Sequence, residues 1–178
     1  PTSAALTSAT AADNLVGSVS GDTFTGTFGT GATLTTGDTI IDSTTTDSDT
    51  LTLTGAAFGN SADTSIAIFR NIETVNVVFD TLTNATIDAA GIASAATISA
   101  SNVRAGSGAA LTVTNITDGS TLNVSDFNTV TNATADAGGD LTLNANAATT
   151  NVRGTTSGDG NLTVNAAAAT GTVRGDSA

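Results

Sequence analysis

Along much of the chain every second residue is apolar. Leu51-Thr-Leu-Thr54, Leu111-Thr-Val-Thr114, Leu141-Thr-Leu-Asn144 and Asn161-Leu-Thr-Val-Asn165 alternate an aliphatic side chain with Thr or Asn. A period of two puts the aliphatics on one side of an extended chain and the polar residues on the other. These stretches therefore predict strands with a single buried face. No segment carries the 3.6-residue period of an amphipathic helix. Composition permits a short helix only at Ala166–Ala169, and the strand patterns on both sides predict strand or tight corner there instead.

The alternation is itself repeated. Asp140-Leu-Thr-Leu-Asn-Ala and the later Asn151-Val-Arg-Gly154 recur as Asn161-Leu-Thr-Val-Asn-Ala and Thr172-Val-Arg-Gly175. Leu141 maps to Leu162, Asn144 to Asn165, Val152 to Val173 and Arg153 to Arg174, all by one constant offset. Steps of half that offset link Val77, Ile87 and Ile98, and again Val103, Val113 and Val124. A coil of about 21 residues, built of two or three short strands with Gly, Asn and Asp corners, is the mark of a parallel β-helix. A β-sandwich alternates too, but seldom repeats itself at this period. The predicted fold is all-β: a parallel β-helix (β-solenoid) over residues 56–178, after a less regular Asp/Gly-rich β segment over 1–55. Phe58, Phe69 and Phe79 follow the boundary and are expected to plug the start of the stack, with Phe24 and Phe28 anchoring the N-terminal segment.

Composition supports a thin core. Aromatics are 3% of the 178 residues, all of them Phe, and there is no Trp, Tyr, Met, Cys, His or Lys. A compact globule needs large side chains at its centre; a narrow stack lined by Val, Ile, Leu and Ala does not. Without Met, the stretch is expected to be a processed product or part of a longer chain. It carries no signal peptide, lipidation motif or bilayer-spanning apolar run.

Charge and residue types then narrow the function. The net charge is −12, from fifteen Asp and one Glu against four Arg. Such a surface repels nucleic acid and anionic membranes and draws divalent cations. The missing His, Lys, Cys and Tyr remove the usual bases and nucleophiles. Carboxylate pairs such as Asp136 and Asp140 lack the aromatic platforms that hold sugar rings in glycosidases. No enzyme is expected.

The candidate metal ligands are aspartates in turn contexts. Asp47-Ser-Asp49 aims two carboxylates from one turn, which suits Ca²⁺. Asp38, Asp42, Asp22 and Asp13 are candidates to join them. The competing reading is that each Asp caps its own turn. Candidate assembly residues are those that repeat: Asn144 and Asn165 as a stacked amide ladder, and Arg153 and Arg174 as partners of Asp159 or Asp176 on the next coil or of a neighbouring subunit. Arg174-Gly-Asp176 spells an integrin tripeptide, which the repeat plus one Asp explains. Thr-x-Thr pairs at Thr23–Thr25, Thr33–Thr35, Thr52–Thr54 and Thr112–Thr114 are irregularly spaced, which argues against an ice-binding face needing one pair per coil.

Thr10-Ala-Ala-Asp-Asn-Leu-Val-Gly, Gly21-Asp-Thr-Phe-Thr-Gly-Thr, Gly37-Asp-Thr-Ile-Ile-Asp, Asp49-Thr-Leu-Thr-Leu and Asn71-Ile-Glu-Thr-Val-Asn-Val77 together resemble the body of bacterial S-layer and related RTX-type exoproteins. In that group a D-T-L-x-G segment precedes an N-I-E-x-[IV]-x-[IV] strand that opens a long Thr/Ala/Val-rich β-helix. The resemblance implies secretion to the bacterial cell surface, Ca²⁺ dependence and self-assembly into a lattice or filament. The alternative role is a cell-surface adhesin or spacer that binds glycans or other surfaces, with cell-surface polysaccharide as a candidate partner. The RTX nonapeptide G-G-x-G-x-D is absent, Gly138-Gly139-Asp140-Leu141 being a fragment of it, so scattered single cation sites are expected rather than a calcium ladder.

Overall fold

The computed structural model describes residues 1–178 apart from 9, 57–58, 95, 105–107, 138, 158 and 178. Among the described residues there is no helix, and seventeen strands, β1–β17 in chain order, form three sheets. The first sheet stacks β1 (Ser3–Ala5), β3 (Thr23–Gly29), β5 (Thr50–Ala56), β8 (Thr74–Phe79), β10 (Thr97–Asn102), β12 (Ser120–Val124), β14 (Leu141–Asn144) and β16 (Leu162–Asn165). The second stacks β6 (Ser61–Asp63), β9 (Ala85–Asp88), β11 (Ala110–Ile116), β13 (Thr129–Ala137), β15 (Val152–Ser157) and β17 (Val173–Ser177). The third holds β2 (Asn14–Val16), β4 (Thr39–Ile41) and β7 (Ile68–Arg70). Every pairing is parallel, and the chain visits the sheets in rotation, as in β5, β6, β7 and back to β8. This is the β-solenoid that the alternation and repeat predict.

Register in the first sheet explains the drifting period. Ser3, Thr23, Thr50, Thr74, Thr97, Thr121, Thr142 and Thr163 are partners in successive coils. The coil from Thr23 to Thr50 is the longest, and the length becomes constant only from Thr121 through Thr142 to Thr163. The long coils that begin at Thr23 and Thr50 carry β4 and β7 on the third side, and that side ends one coil later at an isolated bridge between Phe69 and Ile92. The last coils turn that corner tightly. Ala148 N–H donates to Ala145 O (3.0 Å), and one coil later Ala169 N–H donates to Ala166 O (3.2 Å). Ala166–Ala169 is thus a corner. Residues on both sides of position 55 share the first and third sheets.

The core is a set of columns. Phe24, Leu51, Val75, Ile98, Leu122 and Leu143 are register partners in successive coils, and each is fully buried. Each such side chain contributes roughly 1.5–3 kcal/mol by leaving water. At one corner Phe28 and Phe79 meet edge-to-face at 5.1 Å, and Phe79 meets Phe127 at 5.7 Å. Phe69 is buried too, so of the expected plug Phe69 and Phe79 line the interior, while Phe58 lies outside the described residues. Asn71 and Asp126, at corners, and Asn115, at a register shift within β11, take φ of 57°, 62° and 56°, a left-handed conformation that short polar side chains tolerate. Each is followed by an inward apolar residue (Ile72, Ile116 and Phe127), so the turn swings a plug into the core.

Candidate cation-binding cluster

Position decides which acids turn toward the interior. Asp22, Asp49 and Glu73 each stand immediately before a first-sheet strand, ahead of the register partners Thr23, Thr50 and Thr74. The threonines face out, so the preceding acids face in. Each acid accepts a backbone N–H from the equivalent position one coil earlier. Asp22 Oδ1 accepts from Thr2, Asp49 Oδ1 from Asp22 (2.6 Å), and Glu73 Oε2 from Asp49 (2.8 Å). Three successive coils are thus joined by a carboxylate stair. Further along the stack Ala96 and Ser120 occupy the same place, and Ser120 Oγ still accepts from Ala96 N–H (3.1 Å). The linkage continues there without the charge.

Asp42 and Asp47 approach from the end of the third side. Asp42 follows β4, with its amide donating to Arg70 O (3.1 Å), and its Oδ2 accepts from Thr44 N–H (2.5 Å). Thr44 Oγ1 also donates to an oxygen of Asp47. Two groups of acids result. One oxygen each from Asp22, Asp42 and Asp49 lie within 4.8 Å of one another, and so do one each from Asp47, Asp49 and Glu73. Asp22, Asp42 and Asp49 are at most 1% exposed.

Three oxygens in the cluster are buried without a hydrogen-bond partner: Asp42 Oδ1, Asp47 Oδ2 and Asp49 Oδ2. An ionised oxygen held away from water and without a donor is among the costlier things a fold retains. Among the described residues, arginine ion pairs run to Asp80 and Asp176 and none reaches the cluster. Burial pushes the Asp49 carboxyl up to about 6, and the charges of Asp42, Asp47 and Glu73 add to the rise against the Asp22 amide bond. At Asp22 burial pulls in the same direction, but donors from Ser18 and Thr2 outweigh it and hold the group below the ordinary range.

Gly17 completes the enclosure. It follows β2, and a Cβ there would stand 2.1 Å from Asp42 Oδ1 and 2.8 Å from Asp22 Oδ2. Only glycine lets the chain pass so close to both carboxylates. The donor set is all oxygen, anionic and irregular, which fits Ca²⁺. Oxygens bound to one Ca²⁺ at about 2.3–2.6 Å lie at most ~5 Å apart, so each group of three fits one ion's shell. Mg²⁺ demands a tighter octahedron and keeps its waters.

The sequence-derived candidates divide. Asp22, Asp42, Asp47 and Asp49 are brought together, and Glu73, which sequence reasoning missed, joins them. Asp13 and Asp38 form a separate stack at the neighbouring corner. Asp38 Oδ1 accepts from Asp13 N–H (2.9 Å) and Thr35 Oγ1 (3.0 Å), and its Oδ2 accepts from Thr35 N–H (2.7 Å). Asp13 in turn accepts from Thr7 N–H (2.6 Å). These two act as caps, with their oxygens already used.

The assembly candidates lie far from the cluster, on the last coils. Asn144 Nδ2 donates to Asn123 Oδ1 (2.9 Å) and Asn165 Nδ2 to Asn144 Oδ1 (2.8 Å), a three-rung amide ladder. Arg153 and Arg174 are register partners, and Asp176 joins both, at 2.9 Å to Arg153 Nε and 3.2 Å to Arg174 Nη2. The Arg153 hydrogen bond holds the Asp176 carboxyl below its usual range. Asp176 therefore offsets a stacked pair of like charges, and Asp159 takes no part in the described ion pairs. No protein-family model, curated protein or solved structure matches the chain.

Proposed function

We propose that this chain is a non-enzymatic structural segment of a bacterial extracellular surface assembly, a layer or filament, whose N-terminal coils are locked by Ca²⁺. The observation that carries the reading is the buried carboxylate cluster with three unpartnered oxygens. A fold retains such a cluster at a cost that a bound divalent cation offsets. Asp22, Asp42, Asp47, Asp49 and Glu73 would hold the ion. It supplies charge neutralisation and cross-links between coils, and no reaction. Extracellular Ca²⁺ stands near millimolar, within the range at which surface modules bind. The absence of His, Lys, Cys and Tyr supports a role without catalysis. The architecture supports assembly. A parallel stack adds coils by the same ladder that holds it together, so copies or further coils extend it along one axis.

Electron microscopy of the purified chain with Ca²⁺ and then with EGTA tests this. Ordered sheets or fibres that form with Ca²⁺ and disperse in EGTA are the expected result. A monomer indifferent to both rejects it.

A second reading, an adhesin or spacer that binds surface glycans, draws on the outer face of the first sheet. Thr23, Thr50, Thr74, Thr97, Thr121, Thr142 and Thr163 form one column in register. Thr25, Thr52, Asn76, Ser99, Asn123, Asn144 and Asn165 form the next. The irregular sequence spacing thus conceals one Thr-x-Thr, Thr-x-Asn or Thr-x-Ser pair per coil on one side. In a strongly acidic chain these two columns are free of charge, which suits a neutral hydroxylated surface. Retention on cell-wall polysaccharide that is lost when Thr97, Thr121 and Thr142 become Lys separates this reading from pure scaffolding.

A further inference from the structure

We infer that the cluster holds two divalent cations rather than one, with the Asp49 carboxylate shared between them. The inference rests on the cation-binding reading above and adds the number of ions and the division of ligands. Asp42 belongs only to the group with Asp22 and Asp49, and Asp47 only to the group with Asp49 and Glu73. Each group carries its own buried oxygen without a partner: Asp42 Oδ1 in the first and Asp47 Oδ2 in the second. An ion in the first group leaves the Asp47 oxygen unpartnered, and an ion in the second leaves the Asp42 oxygen so. Two ions answer both, and Asp49, the residue the two groups share, has an unpartnered oxygen of its own, Oδ2.

Charge leads to the same count. Five ionised carboxylates around one Ca²⁺ leave a net charge of about −3 in a low-dielectric wall, where like charges repel strongly. Two ions leave about −1, a residue that backbone amides already bonded to Asp22, Asp49 and Glu73 can carry.

Topology orders the ions. Asp22, Asp49 and Glu73 are equivalent positions in three successive coils, and neighbouring strands stand about 4.8 Å apart. One ion sits between the first and second of these rungs, and the other between the second and third. The stair is a two-step calcium ladder built without the RTX nonapeptide. It stops where Glu73 gives way to Ala96 and Ser120, which offer no carboxylate.

Calorimetric titration of the cation-stripped full chain with CaCl₂ tests this, with native mass spectrometry counting bound ions independently. The expected count for the wild type falls by one in Glu73→Gln and by one in Asp22→Asn, and Asp49→Asn loses both ions. Circular dichroism confirms that each variant retains its strands, and the wild-type count stands whether or not a variant folds. A wild-type count of one overturns the shared pair while leaving cation binding intact. A count that Glu73→Gln leaves unchanged in a folded variant overturns it as well. A count of zero rejects the cation-binding reading together with the pair.

Discussion

The effect of replacing Asp49 by Asn on stability is expected to reverse sign with Ca²⁺, and that reversal is the sharpest test of the cluster. Asp49 is fully buried, with one oxygen accepting from Asp22 N–H and the other unpartnered. Its carboxyl is raised from 3.8 to about 6 by burial and by its acidic neighbours. At 1.36 kcal/mol per pKa unit, the ionised form costs the folded state about 3 kcal/mol. Water beside the thin solenoid wall screens part of this, leaving about 1–2 kcal/mol. Asparagine keeps the acceptor for the Asp22 amide and puts an N–H₂ donor among the remaining carboxylates. At pH 7.5 in EDTA the variant is therefore expected to be more stable than wild type by about 1–2 kcal/mol. With Ca²⁺ at a hundred times its Kd, wild type gains about 2.7 kcal/mol by mass action for each ion bound. The variant gains little, so wild type becomes the more stable. Coil stacks can melt piecewise, so the measurement is hydrogen exchange over residues 14–54, supported by urea unfolding followed by circular dichroism. A variant less stable than wild type in EDTA, or one with an undiminished Ca²⁺ gain, refutes the reasoning.

The pH response carries its own sign. The folded state retains the Asp49 proton up to about pH 6, whereas the unfolded chain releases it near 3.8, so cation-free stability is expected to fall as pH rises from about 4 to about 6. Thermal melts in EDTA across that range read this, and added Ca²⁺ reverses the slope because protons and ions compete for the same oxygens. Gly17→Ala places a methyl against Asp42 Oδ1 and Asp22 Oδ2, and should reduce the Ca²⁺-induced rise in melting temperature, by loss of the first ion, while sparing protection in the last coils. At Gly91 an added Cβ would lie 1.8 Å from Thr64 O and 2.6 Å from Ala67 O, both backbone, so Gly91→Ala should cost about 3 kcal/mol in urea titration with or without Ca²⁺. Asn144→Ala breaks two ladder bonds where Asn165→Ala breaks one, so the first should cost about 1 kcal/mol and the second measurably less.

Strand character and fold class were readable because a period of two survives any change in coil length. The constant repeat was readable only where the third side had shrunk to a tight corner, after Thr121. Before that, coils of unequal length hide the register from any search at a fixed offset. The same irregularity divided the site. Asp47 and Asp49 announce themselves by flanking a single serine, and Asp42 lies close by in sequence. Asp22 and Glu73 reach the cluster only because each pairs with Asp49 across a whole coil. A local signal for them did exist. Asp22-Thr-Phe-Thr25, Asp49-Thr-Leu-Thr52 and Glu73-Thr-Val-Asn76 share an acid, a Thr, an apolar residue and a Thr or Asn. Aligning on that motif rather than on a period finds Glu73. Asp13 and Asp38 could not be told from ligands by sequence, because an Asp that caps a turn and one that faces a cation occupy the same kind of loop. Only the donors around them distinguish the two.

Strands in this molecule run across its long axis, and the bonds between coils run along it. A tensile load applied at the two ends therefore opens one rung at a time, as in a zipper, instead of shearing many bonds at once. The rupture force of such a column is set by its weakest rung and not by its length. Coils that share a carboxylate stair and any ions bound to it would yield as one block, so bound Ca²⁺ would raise the force needed at the N-terminal end and leave the amide-laddered coils to peel first. With Ca²⁺ bound, the chain would act under load as a graded fastener with a stiff end and a compliant one.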